Sequence, residues 1–286
     1  MLFKKFNKRL MCFALGSAIS GGALQVPDAT AADIAVTGSP DATVLPQPVF
    51  DQRFEQDQPS RNWSLIVGAG GIYEPSYEGS DEFELDPVPL VLFTYGEWLE
   101  IDPTGVTLTP IKYDRFSLSG QIGYESGRDE DDHERLRGLG DIDFAATVGA
   151  KAMYELGPVD VYAAIDQTIE GSESLIGTVG IGYTAPVSER LILGANAEAV
   201  VADDNHMEAY FGVNAAQSAA SGLPEYEAGA GLKRVNFSAS ATYALTEDWL
   251  VRGEAELGVL TGDATDSPIV ADELQPSVSL FVGYRF

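Results

Sequence analysis

The chain of 286 residues has one cysteine, Cys12, two histidines, four methionines and 17 basic residues against 44 acidic ones. One cysteine excludes a disulfide framework and a thiolate zinc site together. The shortage of Lys and Arg gives a formal charge of -27. That excludes a nucleic-acid surface as the default, because phosphate binding needs a basic patch to release counterions. Long apolar runs are also missing beyond the first thirty residues, so nothing there spans a bilayer as a helix, which takes about 20 apolar residues. Apolar material itself is not scarce. Hydrophobic residues make up 45%, with 12 Tyr, 13 Phe and 3 Trp, enough to bury and to argue against disorder despite the charge. Thirty glycines favour β-structure over helices.

Residues 1–31 read as a secretory signal peptide. Lys4, Lys5, Lys8 and Arg9 form its basic region, Leu10 to Leu24 its uncharged stretch, and Ala29-Thr30-Ala31 its small-residue cleavage positions. Residues 32–61 carry Pro40, Pro46, Pro48 and Pro59 without either periodicity and read as a flexible periplasmic tail.

From Asn62 onward, apolar residues alternate with a period of two. Phe144, Ala146, Val148, Ala150, Ala152, Tyr154 and Leu156 share one face, against Asp143, Thr147, Lys151 and Glu155 on the other. The dyad recurs in Val159 to Asp166, Leu191 to Val201 and Val235 to Tyr243. Strands of about eleven residues, with small polar residues opposite an apolar face, suit a tilted bilayer crossing. The expectation is an all-β transmembrane antiparallel barrel over 62–286.

Connection lengths supply its topology. Short turns fall at Gly96-Glu97, Tyr113-Asp114, Gly157-Pro158, Ser188-Glu189 and Thr246 to Asp248. Long ones run through Tyr73 to Asp86, Gly127 to Asp141, Asp203 to Tyr226 and Thr261 to Gln275. Outer-membrane barrels have short periplasmic turns, long outer loops and an even strand count. The parity works with twelve strands if 98–110 is two short strands meeting near Pro103-Thr104, with a tight outer connection at Glu170 to Glu173; ten or fourteen are the alternatives. Trp63, Tyr95, Trp98, Tyr154, Tyr243 and Trp249 then fall at the periplasmic rim, where an interfacial aromatic girdle is expected. Residues Val278 to Phe286 alternate and end on an aromatic, so Tyr284 and Phe286 mark a terminal strand like those recognised by the outer-membrane assembly machinery.

Facing inward on this register are Glu125, Asp143, Glu155, Asp160, Asp166, Glu198, Glu254 and Glu256, against Lys151, Arg190, Arg252 and Arg285. An acid-rich lumen keeps a small cation-preferring channel or stress-related porin as the alternative function. Chemistry is harder to find. His133 and His206 lie far apart and read as solvated loop residues, and no Gly-x-Ser-x-Gly elbow is present. The acidic run from Asp129 could meet the divalent cations that bridge lipopolysaccharide, but reads more simply as a solvated face. No catalytic residue, metal site or cofactor is expected.

Four blocks carry a family resemblance. They are Gly70-Gly71-Ile72-Tyr73 with Pro75 to Ser80 and Pro87-Val88-Pro89; Gly127-Arg128-Asp129 with Leu136 to Ile142; Ser221 to Tyr226 with Ala228 to Leu232; and Leu260 to Val270. In this order the chain resembles the MipA/OmpV family of MltA-interacting outer-membrane proteins. The resemblance implies an outer-membrane barrel, non-enzymatic, acting as a scaffold between a lytic transglycosylase and a peptidoglycan synthase. It brings no catalytic residues.

Overall fold

The computed structural model describes residues 62–286, so the expected leader and tail lie outside the described residues. Twelve strands form one closed antiparallel barrel: β1 Trp63–Pro75, β2 Phe83–Tyr95, β3 Leu99–Asp102, β4 Gly105–Tyr113, β5 Phe116–Glu125, β6 Ala145–Leu156, β7 Val159–Ile169, β8 Leu175–Ser188, β9 Leu191–Ala202, β10 Gly231–Ala244, β11 Trp249–Leu260 and β12 Leu274–Arg285. Each strand pairs with its sequence neighbours, and β12 returns to β1 from Ile66↔Arg285 to Tyr73↔Val278. The two short strands expected over 98–110 are β3 and β4, and the turns keep the expected parity. Closure matters because lipid satisfies no backbone N–H or C=O.

Alternation sorts the side chains. Val148, Ile165, Ile181, Leu193, Phe237 and Leu280 are exposed on the outside of the barrel, on the lipid-facing side. Between them small residues such as Ala150 and Ala197 keep the same face. The inside is not uniform. Ile66, Leu90, Leu92, Ala244, Leu250 and Phe281, from β10, β11, β12, β1 and β2, form an apolar cluster beside the closing joint.

One joint is shallow. The β2–β3 ladder runs only from Phe93 to Tyr95, whereas β1–β2 runs from Trp63 to Pro75. The outer part of β2 therefore has no described strand on its β3 side. Gly96 N–H donates to Asn62 O at 2.6 Å, so even-numbered residues of β2 aim their N–H groups at β1 and odd-numbered ones at the β3 side. Pro87 and Pro89 are odd. They sit where a donor would have no partner, which is where proline is tolerated in a sheet.

This arrangement separates two substitutions. Ala197→Arg puts a charge on the lipid face and is expected to cost about 2–4 kcal/mol near the midplane. Ser240→Arg points inward and is expected to cost far less. Refolding into liposomes, read by heat-modifiable gel migration, compares the two; equal loss would overturn the register.

Candidate functional site

The outer end of the barrel is capped by its own loops. The 203–230 connection folds into α1, Asp204–Phe211, and α2, Ala215–Ser221. Asp203 caps α1 by accepting from His206 N at 3.0 Å. Asn214 and Gln217 form a capping box at the start of α2, and Gly222 ends it at φ 80°, a left-handed conformation that glycine adopts without strain. From α1, Met207, Tyr210 and Phe211 pack into Ile176, Val200, Ala202, Ala228, Leu260 and Ala264 at the barrel rim. A second cluster joins all four long loops through Tyr77, Leu136, Leu139, Val213 and Ile269. Cross-loop hydrogen bonds fasten it: Ser267 Oγ to Phe211 O at 2.6 Å, Gln217 Nε2 to Leu139 O at 2.6 Å, and Arg128 to Tyr210 O at 3.0 Å. Burial in this cap lowers the Arg128 pKa from its usual value and raises that of the Tyr77 phenol to about 12.

Beneath the cap runs a buried polar chain. The β9–β10 register shifts between Leu232 and Arg234, and the extra residue, Lys233, is fully buried. Strict alternation would put Lys233 and Arg234 on opposite faces. The bulge instead lets both reach Glu78 in the β1–β2 loop, at 3.1 and 3.4 Å. Lys233 Nζ also lies 3.1 Å from His206 Nε2, and His206 Nδ1 lies 3.1 Å from Ser174 Oγ. Ser174 donates to Ser172, which donates to Glu125 Oε2 at 2.6 Å.

Both histidines therefore differ from the solvated loop residues expected. His206 is buried and stacks on Tyr210, because the cap places α1 directly over the rim. His133 approaches Glu82 at 3.2 Å and the Tyr77 ring at 5.0 Å, with Nδ1 accepting from Arg135 N. Ser174, His206 and Glu125 have the composition of a hydrolytic triad, but Ser174 is 0% exposed and no substrate reaches it. In the acidic run, Glu130 accepts from Gly138 N and Gly140 N, so part of it satisfies its own loop. Among the described residues no group of three His, Cys, Asp or Glu could hold a metal ion.

Below the chain lies a chamber of about 1060 Å³. Its lining includes Asn62, Gly96, Gly157 and Phe286, from the short turns and the ends of the described chain, and no residue of the four long loops. It opens toward the periplasm and ends under the cap. Of the inward charges expected, Lys151, Glu155, Asp160, Glu198, Arg252, Glu254, Glu256 and Arg285 line it. Asp166 accepts from Gln121 Nε2 inside the barrel but is not part of that lining. Two placements are corrected. Asp143 is exposed before β6 begins at Ala145, and Arg190 is exposed in the β8–β9 turn, because the alternation was carried past the ends of the strands. Arg252 binds Glu254 at 2.5 Å, and Lys151 sits 4.3 Å over the Tyr162 ring. Tyr162 OH and Asn236 Nδ2 donate to Glu198 at 2.6 and 2.8 Å.

Of the six aromatics expected at the periplasmic rim, Tyr95, Trp98, Tyr154, Tyr243 and Trp249 lie near short turns and Trp63 opens β1, all of them exposed. Trp63 pairs with Tyr95, and Tyr95 meets Trp98 edge-on at 5.8 Å. Trp249 meets Tyr284 at 5.2 Å, and Tyr284 meets Phe286 at 4.9 Å. Phe286 N donates to Leu65 O at 2.9 Å, so the terminal aromatics sit at the closing joint. Glu78, Lys233 and Arg234 were not anticipated; the one signal was the adjacent Lys-Arg in a strand that otherwise alternates.

A family model described as MltA-interacting protein MipA matches residues 67–286. The chain belongs to that family. It is 26% identical over 229 residues to YiaT of Escherichia coli (strain K12), whose name describes an outer membrane protein, covering 78% of this chain and 91% of that one. Solved structures similar to this MipA-family barrel include the translocator domain of the autotransporter NalP from Neisseria meningitidis, at 13% identity and TM-score 0.43 over 82% of this chain and 94% of that one. The KdgM porin is similar at 8% identity and TM-score 0.39, over 78% and 99%. The protein is an outer-membrane barrel.

Two outcomes test the cap. Phe211→Ala should destabilise it by about 3–5 kcal/mol, and in planar bilayers should convert a silent barrel into one with conductance steps; a conducting parent protein would overturn the closed end. Below pH 10 the Tyr77 phenol is neutral whether folded or unfolded. Between 10 and about 12 only the unfolded phenol ionises, so the cap loses stability as pH rises. The loss is on the order of 2 kcal/mol, read as earlier proteolysis of the loops. Tyr77→Phe should remove that dependence.

Proposed function

We propose that this MipA-family protein is a non-enzymatic scaffold that holds a peptidoglycan-processing protein, a lytic transglycosylase or a synthase, at the inner leaflet of the outer membrane. One observation carries the reading: the barrel is capped toward the outside and open toward the periplasm. A protein organised this way presents its accessible interior and rim to periplasmic partners. The cation-channel alternative would need a path through the packed loops.

A specific interface buries roughly 1,000 Å² or more, beyond what one tight turn offers. The periplasmic ends together offer more. Tyr113 is 80% exposed, and Val187 and Leu245 are also exposed beside short turns. Exposed apolar side chains at the water-facing end are natural anchors for a partner. The tail over 32–61 would extend that surface.

Photoreactive residues at Tyr113, Val187 and Leu245, and at Phe50 and Phe54 in the tail, provide the test in living cells. Recovery of a murein hydrolase or synthase by mass spectrometry is the expected outcome. Capture of unrelated envelope proteins alone, or of nothing, would overturn the scaffold reading.

A further inference from the structure

The chamber has a wall built for positive charge. We infer that it is a binding site for linear oligoamines, flexible chains carrying several ammonium groups, entering from the periplasm. The inference goes beyond the scaffold reading and does not depend on it.

Carboxylates stand on alternate strands. Asp160 is on β7, Glu198 on β9, and Glu254 and Glu256 on β11. Alternate strands lie about 10 Å apart. The strands between them contribute little bulk. Gly182 faces Asp160 and Gly180 faces Glu198 on β8, while Ser238 and Ser240 face Glu256 and Glu254 on β10. The glycines leave room for the side chains opposite them. A Cβ at Gly182 would fall 2.5 Å from Asp160 Oδ1, and one at Gly180 would fall 2.4 Å from the Tyr162 ring. The result is a row of acidic ridges separated by shallow grooves, a surface that an extended polyamine can cross with ammonium groups at the ridges and methylenes over the small residues.

Bases in the lining are already engaged. Arg252 is held by Glu254, Lys112 by Glu97 at 3.2 Å at the mouth, Lys151 by the Tyr162 ring, and Arg285 by Glu247 O. Asp160 and Glu256 have no hydrogen-bond or ion-pair partner among the described residues. A second feature is independent of the acids. Thr178 lines the chamber, is 3% exposed, and its hydroxyl has no hydrogen-bond partner among the described residues, a cost that a bound donor would remove. Because the chamber ends under the cap, a cation drawn in by the carboxylates is retained.

Calorimetric titration of the refolded full chain in detergent with spermine tests the site. One saturable binding event is expected, weakened at least tenfold in the double variant Asp160→Asn/Glu256→Gln, which breaks no hydrogen bond or ion pair among the described residues. Ser240→Arg, which projects into the chamber and adds positive charge, should have the same effect, with heat-modifiable migration showing that each variant folds. Asp129→Asn/Asp131→Asn in the outer loop should leave binding intact. Absence of saturable heat, unchanged affinity in both chamber variants, or displacement by magnesium at equal charge concentration would overturn the proposal. These readings are separate from the cross-linking, so either idea can fail alone.

Discussion

A hydrocarbon layer offers nothing to a peptide N–H or C=O, and this single deficit organises the molecule. It forces the twelve strands into a ring in which β12 finds β1. It also sends apolar side chains outward along every strand and leaves the interior to hold whatever polar groups the sequence carries. A ring of this width would be a pore if nothing filled it. Here the seam side is filled by the cluster around Leu90 and Phe281, and the outer end by Met207, Tyr210 and Phe211 from α1. What remains is a blind chamber with one aqueous face.

The join between wall and cap depends on Lys233. A buried ammonium is costly unless paired and hydrogen-bonded. The register shift at Lys233 brings it to Glu78 and His206, so a loop from the first hairpin, a helix from the ninth connection and the tenth strand share one set of polar bonds. Removing one member would strand the others, which makes the cap cooperative. The same reasoning accounts for a serine, histidine and glutamate standing in line without a reactive role: they satisfy one another in a place that water does not reach.

Much of this was legible in the sequence. Period-two alternation from Ala145 to Leu156, with short periplasmic turns against long outer loops, was enough for closure and orientation, and dividing 98–110 into two short strands brought the count to twelve, because a bilayer leaves few other solutions for such a pattern. The chamber wall was legible for the same reason, wherever alternation holds. It misled at Asp143 and Arg190, where the chain had already left the strand. The cap was not legible at all. Its residues pair far apart in sequence, across 27 and 155 positions for Lys233 with His206 and Glu78, and neither periodicity nor spacing records which loop folds onto which.

The shallow joint between β2 and β3 has a mechanical meaning. A ring of staves under lateral pressure parts first where two staves are bonded over the shortest length, and here that is the stretch Phe93 to Tyr95. Opening elsewhere would free a long edge able to recruit a strand from a neighbouring molecule, the start of a polymer. At this joint the edge is already interrupted by Pro87 and Pro89, which cannot donate to an incoming strand. The barrel thus has a place to give under strain that does not become a place to aggregate.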